Sequence, residues 1–476
     1  MKCCLLIFVC IACGPSNHHG SDCTGADCST GSCNPGDSRD CYTGEAVTKD
    51  VGPCHGGNQL CTGAGQWGEC MGQVIPAGES CTDGLDNNCN GMVDEMTDLD
   101  GDGFATCDSS GASLDCCDSV ECGTPAAVNP GAYDVAGDSV DNDCDGTIDN
   151  EVGLCDQSLA SNSQAASDYA KAIDICQNAT PTDKKWGLIE AKLTLPSGTG
   201  VPDPQSYSIR HKFGSKVLPQ GGSSVAVIST GGAAAKGDIN PPYHDFVSYE
   251  TTKTSPFPAD FLAANGGSLP NAPGCPEPVG AVANDPVMLT FRIRVPTNAR
   301  SFSLRSNFYS SEFPEWTCSP YNDFYVILID STSTDNPTDK NLAFYSPPNA
   351  MAKVPVGVNL GFGNTGLFTQ CVNGATGCAT MGMGQAGTIS TCAGTDDLMA
   401  TGFDDPAPME CEAASLKGGA TGWLTTSGNV VPGEIMTLRI AIWDTSDHAL
   451  DSLAVVDGFK WSADPSTPGT VILKTH

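Results

Sequence analysis

Basic residues are scarce. Only 22 Lys and Arg stand against 56 Asp and Glu in 476 residues, for a formal net charge of −34. A surface of that sign repels phosphate backbones and anionic lipid, so nucleic acid and charged membrane surfaces are unfavourable partners. Long apolar runs are missing beyond the first dozen residues, and a membrane-spanning helix needs about 20 such residues in a row. Catalytic signatures are lacking too. There is no HExxH, no GxSxG, no GxxxxGK[ST], and no GxGxxG between a strand and a helix, so the chain does not read as an enzyme.

Cysteine is plentiful. Twenty-six cysteines would be a hazard in a reducing cytosol and argue for an oxidising compartment. Zinc binding is the rival reading, but it wants CxxC pairs matched by further CxxC or HxxxH pairs, and no such set stands out. The first residues agree with export. Lys2 is a minimal basic region, and CCLLIFVCIA is apolar yet too short to span a bilayer. It ends in VCIAC, which resembles a bacterial lipobox with Ala12 before Cys13, although Cys10 stands where an aliphatic residue is usual. The resemblance implies a signal peptide over 1–12 and lipidation of Cys13. Because Gly14 and not Asp follows, it also implies sorting to the outer membrane. A plain secretory signal with free release is the alternative.

Charge divides the chain. Between Cys13 and Cys155 there are 26 Asp and Glu against two basic residues, Arg39 and Lys49. Residues 13–40 are rich in Gly, Ser, Asp and Cys and read as a tether, in which His18 and His19 read as solvated. Residues 41–80 read as a small Cys-rich module, with Cys41, Cys54, Cys61 and Cys70 stapling Gly-rich turns and Trp67 as cover. Residues 81–155 hold acidic repeats aligned at an offset of 55: DGLDNNCNGMVDE (83–95) against DSVDNDCDGTIDN (138–150), with DLDGDGF (98–104) between them.

The acidic repeats have the spacing of a hard-cation site. Calcium takes about six to eight oxygen ligands, which a short loop supplies when Asp or Asn recurs at alternate positions. The second copy offers Asp138, Asp141, Asp143, Asp145 and Asp149 around Gly146, and the first offers Asp83, Asp86, Asn88, Asn90 and Asp94 around Gly91. DLDGDGF adds Asp98, Asp100 and Asp102. All three open like an EF-hand loop, but Thr97, Val152 and Ser110 stand where its bidentate Glu would be, and the flanks are Gly- and Cys-rich. Calcium is the expected cofactor, since magnesium prefers to keep waters and copper or zinc prefers imidazole or thiolate. A solvated acidic linker is the plainer reading, but it would not produce the same spacing three times. Asp134 falls outside the alternation and is expected to matter less than Asp141, Asp143 and Asp145. The runs CTDGLDNNCNGMVDE, DLDGDGF, DCCD, NPGAYD and DNDCDGTIDN resemble the MopE-like metal-binding motif family over 81–151, and more distantly thrombospondin type 3 repeats. That family usually has a Cys near Ala136, and its absence leaves the partner of Cys144 open.

From residue 156 the pattern changes. Ala166, Tyr169, Ala170, Ile173 and Cys176 share one face of a helix expected over 163–178. Alternation then predicts strands at 189–195, 287–295 and 436–442, and apolar runs add 224–229, 301–309, 323–330, 453–461 and 470–474. The expected fold is mainly β: a C-terminal antiparallel β-sandwich, jelly-roll-like, over 156–476, with one flanking helix and preceded by a disulfide- and Asp-rich irregular stalk. AKAIDICQ, WGLIEAKLT, VAVISTGGA, SSEFPEWTCSPYNDFYVILID, GATGWLTT and PGEIMTLRIAIWDTSDHALDSLAVVDGF resemble the bacterial choice-of-anchor L domain, which implies surface display. Cys23–Cys155 and Cys176–Cys411 each hold an odd number of cysteines, so a bridge between Cys155 and Cys176 is expected; Cys81, Cys89, Cys371 and Cys378 are further disulfide candidates.

Glu312, Asn322 and Asp323 lie before one apolar strand, and Asp444, Asp447 and Asp451 follow another. These strand ends could converge on a second metal site, against the plainer reading of turn and cap chemistry. Trp316, Tyr321, Trp423 and Trp443 could stack on sugars, though Trp443 on an alternating strand reads as core. Glu312 and Glu315 are the one candidate acid–base pair, three apart beside Pro314. Together these features predict a lipid-anchored outer-membrane surface protein with a calcium-stabilised stalk, displaying a sandwich for adhesion or surface assembly through an unknown protein or glycan. The alternative is a secreted glycan-binding or glycan-processing protein.

Overall fold

The computed structural model describes residues 23–473 apart from 25–27, 29–31, 78–82, 96–97, 106–113, 119–122, 151–152, 348–352, 362–364, 378–388 and 407–415. The expected leader, Cys13, Cys81 and Cys378 lie outside the described residues. The chain forms two compact units that divide between Pro130 and Gly131, so each unit holds one copy of the acidic repeat.

The first unit has too few apolar side chains for a conventional core. Its three-stranded sheet of β1 (Cys23–Thr24), β2 (Ser38–Tyr42) and β3 (Gly57–Leu60) is stapled instead. Disulfides join Cys23 to Cys28, Cys33 to Cys61, Cys41 to Cys70 and Cys54 to Cys89. Cys89 of the first acidic repeat is thus tied to the module, and the expected tether pairs with it from Cys23 onward. Trp67 covers a cation here: the Arg39 guanidinium lies 4.3 Å from the ring centroid. Its Nε donates to Gln59 Oε1 at 2.9 Å and its Nη2 to the Cys28 carbonyl at 2.7 Å.

The second unit is a sandwich of two sheets. One runs in the order β10 (Phe324–Asp330), β16 (Ile435–Asp444), β8 (Ala283–Arg294), β4 (Gly187–Thr194), with β7 (Thr254–Ser255) also on β8. The other runs β12 (Val354–Pro355), β11 (Phe344–Tyr345), β18 (Gly469–Ile472), β15 (Gly419–Asn429), β9 (Ser301–Ser310), β17 (Ser452–Ser462), β6 (Val225–Ser229), β5 (Tyr207–Arg210). β13 (Gly374–Ala375) and β14 (Ile389–Ser390) form a separate pair. Alternation sorts the faces. Leu289, Phe291, Leu438, Ile440, Tyr325 and Ile327 of the first sheet meet Phe302, Leu304, Phe308, Ile228, Leu424 and Val456 of the second in the main core. The opposite faces are covered as well. Val326, Leu328 and Trp443 pack under Phe261 of helix α2 (Ala259–Ala264), and Val227, Tyr309 and Val455 pack under Phe213, Phe246 and Phe403. Burial on both faces explains why β6, β10 and β17 read as nearly continuous apolar runs.

The helix expected over 163–178 is shorter, and it is the first of two α-helices among the described residues. Helix α1 spans Ala166–Lys171, because Ser163 Oγ accepts the Ala165 N–H in a turn ahead of it. Asp174 takes a left-handed φ of 72° behind it, and the Ile175 N–H returns to the Ala170 carbonyl at 2.9 Å. Tyr169, Ala170 and Ile173 enter the core as the periodicity predicts. The Cys155–Cys176 bridge forms, with Cα atoms 5.5 Å apart. Cys275 bonds Cys318, and Cys371 bonds Cys392. The second acidic repeat is docked on the sandwich through Asn298, whose side chain exchanges hydrogen bonds of 3.0 and 2.8 Å with the Tyr133 backbone.

Candidate metal centres

Alternate Asp and Asn side chains in the three loops share one local task. Each accepts the backbone N–H two residues on: Asn88 from Asn90, Asn90 from Met92, Asp100 from Asp102, Asp102 from Phe104, Asp143 from Asp145, and Asp145 from Thr147. The leading acid reaches further. Asp86 accepts from Asn90 and Gly91, Asp98 from Gly101 and Gly103, and Asp141 from Asp145 and Gly146. The repeat is visible in the backbone itself. Positive φ recurs at Gly84, Cys89, Gly91 and Asp94 and again at Ser139, Cys144, Gly146 and Asp149. The alternating pattern therefore winds the loop, and a metal site requires carboxylates to converge beyond it.

Two overlapping groups converge between 98 and 118. Asp98, Asp100 and Asp102 bring ligand oxygens within 4.8 Å of one another, and Asp100 does the same with Asp115 and Asp118. Asp115 and Asp118 are only 4% and 6% exposed. One oxygen each of Asp100, Asp102, Asp115 and Asp118 is buried without a hydrogen-bond partner. Burial above all, then the neighbouring carboxylates, pushes Asp115 up to about 7 and Asp102 up to about 6, and it raises Asp100 and Asp118. A like-charged pair near 5 Å costs about 3 kcal/mol at an effective dielectric of about 20, so the group needs protons or a cation to persist.

The second repeat forms a triad of Asp134, Asp141 and Asp143, with ligand oxygens again within 4.8 Å of one another. Burial, with Asp145, Asp134 and Asp141 nearby, pushes Asp143 up to about 6. Asp134 is oriented by the N–H groups of Asn142 and Asn150 at 2.8 and 2.7 Å. The acid outside the alternation thus joins the cluster. Asp145 instead accepts from Thr147 N and Asn150 Nδ2, and the Asn150 bond holds its carboxyl below the usual range. Asp138 and Asp149 accept backbone N–H groups of the turn. Cys144 is disulfide-bonded.

The first repeat gathers no acidic triad among the described residues. Asp83 accepts from Leu85 N and Asp94 from Gly84 N, while the Asn88 and Asn90 amides both bond Glu95. Asp115, Asp118 and Asp134 are not legible from the alternation. Their sequence signal is the DCCD and NPGAYD runs, which enter only through family resemblance.

The expected second site lies at one end of the sandwich. Glu312 follows β9, Asp323 precedes β10, Asp444 ends β16 and Asp451 precedes β17, and each is at most 3% exposed. Burial raises Glu312, Asp444 and Asp451 well above the usual carboxylate range and brings Asp323 to about 7. Asp447 is half-buried, and burial raises it as well. Asn322 turns to other work: its Oδ1 accepts the Asn359 N–H at 2.8 Å, and its own N–H reaches Thr445 Oγ1. No three of these acids bring oxygens as close as the two clusters above. Trp443 is core, stacked on Phe324, whereas Trp316 and Tyr321 form a half-buried edge-to-face pair. Glu315 is half-buried and Glu312 is 1% exposed.

One family model matches the chain, described as "Putative metal-binding motif" (Cu-binding MopE), over residues 76–95 and 124–150. The matches fall on the first and second repeats and leave the 98–118 cluster outside. Neither a curated protein nor a solved structure matches the chain.

Proposed function

We propose that the chain is a surface lipoprotein whose acidic modules are made rigid by calcium and carry the β-sandwich for adhesion or surface assembly. The observation that carries this reading is the set of four buried carboxylate oxygens, on Asp100, Asp102, Asp115 and Asp118, with no donor. Cations supply what these oxygens lack, with Asp100 shared between the group it forms with Asp98 and Asp102 and the group it forms with Asp115 and Asp118. The donor sets are oxygen only, without imidazole or thiolate, which favours calcium over copper or zinc. The disulfides agree with an oxidising compartment. Display at the outer membrane rests on the lipobox-like VCIAC and on the resemblance of 156–464 to the choice-of-anchor L domain. The partner on this reading is a surface protein or glycan, and the role is binding and not catalysis.

Elemental analysis of the purified protein, with hydrogen exchange in calcium and in excess chelator, tests the metal. Protection at 98–105, 114–118 and 134–150 should fall on chelation while the sandwich strands stay protected. Unchanged protection with no bound calcium removes the proposal. Cys13→Ser should move the protein from the membrane fraction to the medium, and a variant that still partitions with membranes overturns the anchor.

A further inference from the structure

The buried acids at the end of the sandwich leave several oxygens without a hydrogen-bond donor. Glu312 Oε2, both oxygens of Asp323, Asp444 Oδ1 and Asp451 Oδ2 are buried and make no hydrogen bond. Ser452 Oγ, on a residue with no exposed surface, faces Asp323. The basic groups of this end are engaged elsewhere, Lys417 with Asp245 at 2.7 Å and His448 with Asp285 at 2.6 Å. The charges of Asp447, Asp285, Asp245 and Glu250 also reach the buried group. An acidic rim thus surrounds an acidic interior, a field that draws cations in.

These groups do not come from one loop. Glu312 follows β9, and Asp451 and Ser452 stand at the start of β17, in the larger sheet, while Asp323 precedes β10 and Asp444 ends β16 in the smaller one. Turn capping does not account for them, because capping carboxylates accept backbone N–H groups and these oxygens accept none. Unpaired buried carboxylates are costly unless a proton or a metal neutralises them.

We propose that a calcium ion binds between the two sheets, held by Glu312, Asp323, Asp444 and Asp451 with Ser452 Oγ. The oxygens stand further apart than those of the tighter clusters, so binding must draw the four segments together. The ion acts as a clamp across the end of the sandwich. All donors are hard oxygens, the set calcium prefers. The proposal uses none of the residues of the 98–118 or 134–143 clusters, so either set of sites can fail without the other.

The test uses the full-length protein as wild type, as Asp323→Asn/Asp444→Asn and as Asp115→Asn. Calcium content is read by elemental analysis, and terbium binding is read by luminescence excited through tryptophan, Trp443 being next in the chain to Asp444. The double variant should lose one calcium per chain and most of the sensitised emission, whereas Asp115→Asn should keep that emission. Calcium should also raise the melting temperature of the sandwich in wild type and not in the double variant. If the double variant does not fold, Ser452→Ala should weaken terbium binding severalfold. Unchanged calcium content and emission in these variants overturns the proposal. So does a double variant that melts above wild type at every calcium concentration, because the acids are then held by shared protons.

Discussion

Replacing Asp115 with Asn separates a cation site from a cluster of protonated acids, because the two demand different signs. Asp115 is 4% exposed, its Oδ2 has no donor, and the charges of Asp100, Asp102 and Asp118 bear on it. In excess chelator the amide removes one buried like charge. A single repulsion of about 3 kcal/mol, partly relieved by protonation, predicts a metal-free variant about 1–3 kcal/mol more stable than wild type. In calcium the order inverts. Stabilisation by a ligand is RT ln(1 + [L]/Kd), about 2.7 kcal/mol at a hundredfold excess over Kd. Losing one charged ligand with a tenfold to hundredfold fall in affinity withdraws about 1.3–2.3 kcal/mol of it. The curves of the two proteins should therefore cross as calcium is titrated. Urea unfolding of the first unit, followed by proteolysis at 98–118, reads the crossing. If Asp115→Asn is the more stable protein at every calcium concentration, the cluster is a set of protonated acids and the cation argument fails.

Two further predictions follow from the second unit. Removing the Cys155–Cys176 bridge as Cys155→Ala/Cys176→Ala opens a loop with a sequence separation of 21, which the chain-entropy relation places at about 3 kcal/mol; an unchanged urea midpoint refutes it. Asp260 takes a bidentate pair from Arg439, at 2.9 and 2.6 Å, with Lys340 beside it, and these cations hold its carboxyl well below the usual range. A depressed folded-state value stabilises above the unfolded value near 4 and is lost as pH falls through the folded value. After allowance for the third of Asp260 that is exposed, Asp260→Asn should cost about 1–2 kcal/mol at pH 7, and less toward pH 2. A cost that does not change with pH refutes it.

The sandwich was legible where side chains alternate or run apolar. β4, β8 and β16 carry period-two alternation, and β6, β10 and β17 are apolar runs buried on both faces. β15 was not legible, because GATGWLTTSGN has no apolar stripe and earns its place by pairing with β9 and β18. Helix α1 is shorter than the local period implies, because that period does not report the Asp174 turn. In the acidic repeats the alternation revealed the loops, since each side chain serves the N–H two residues on. It did not reveal which acids meet: Asp115 and Asp118 arrive from a different segment, and Asp134 is brought in by hydrogen bonds from Asn142 and Asn150. Tertiary convergence has no local signature.

The edges of the two sheets bear on life at high density. An open strand edge is a template for pairing with a neighbouring copy. Here β12 offers two residues, one of them Pro355, and β5 offers four, with the Ile209 N–H already given to the Ser161 carbonyl. The β10 edge is occupied by its own chain, through Tyr325 N to Val356 O, Ile329 N to Lys340 O, and Leu342 N to Ile327 O. β4 carries the ion pair of Glu190 and Lys192. Among the described residues, copies set side by side therefore meet edges that are short, covered or charged, which disfavours edge-to-edge pairing.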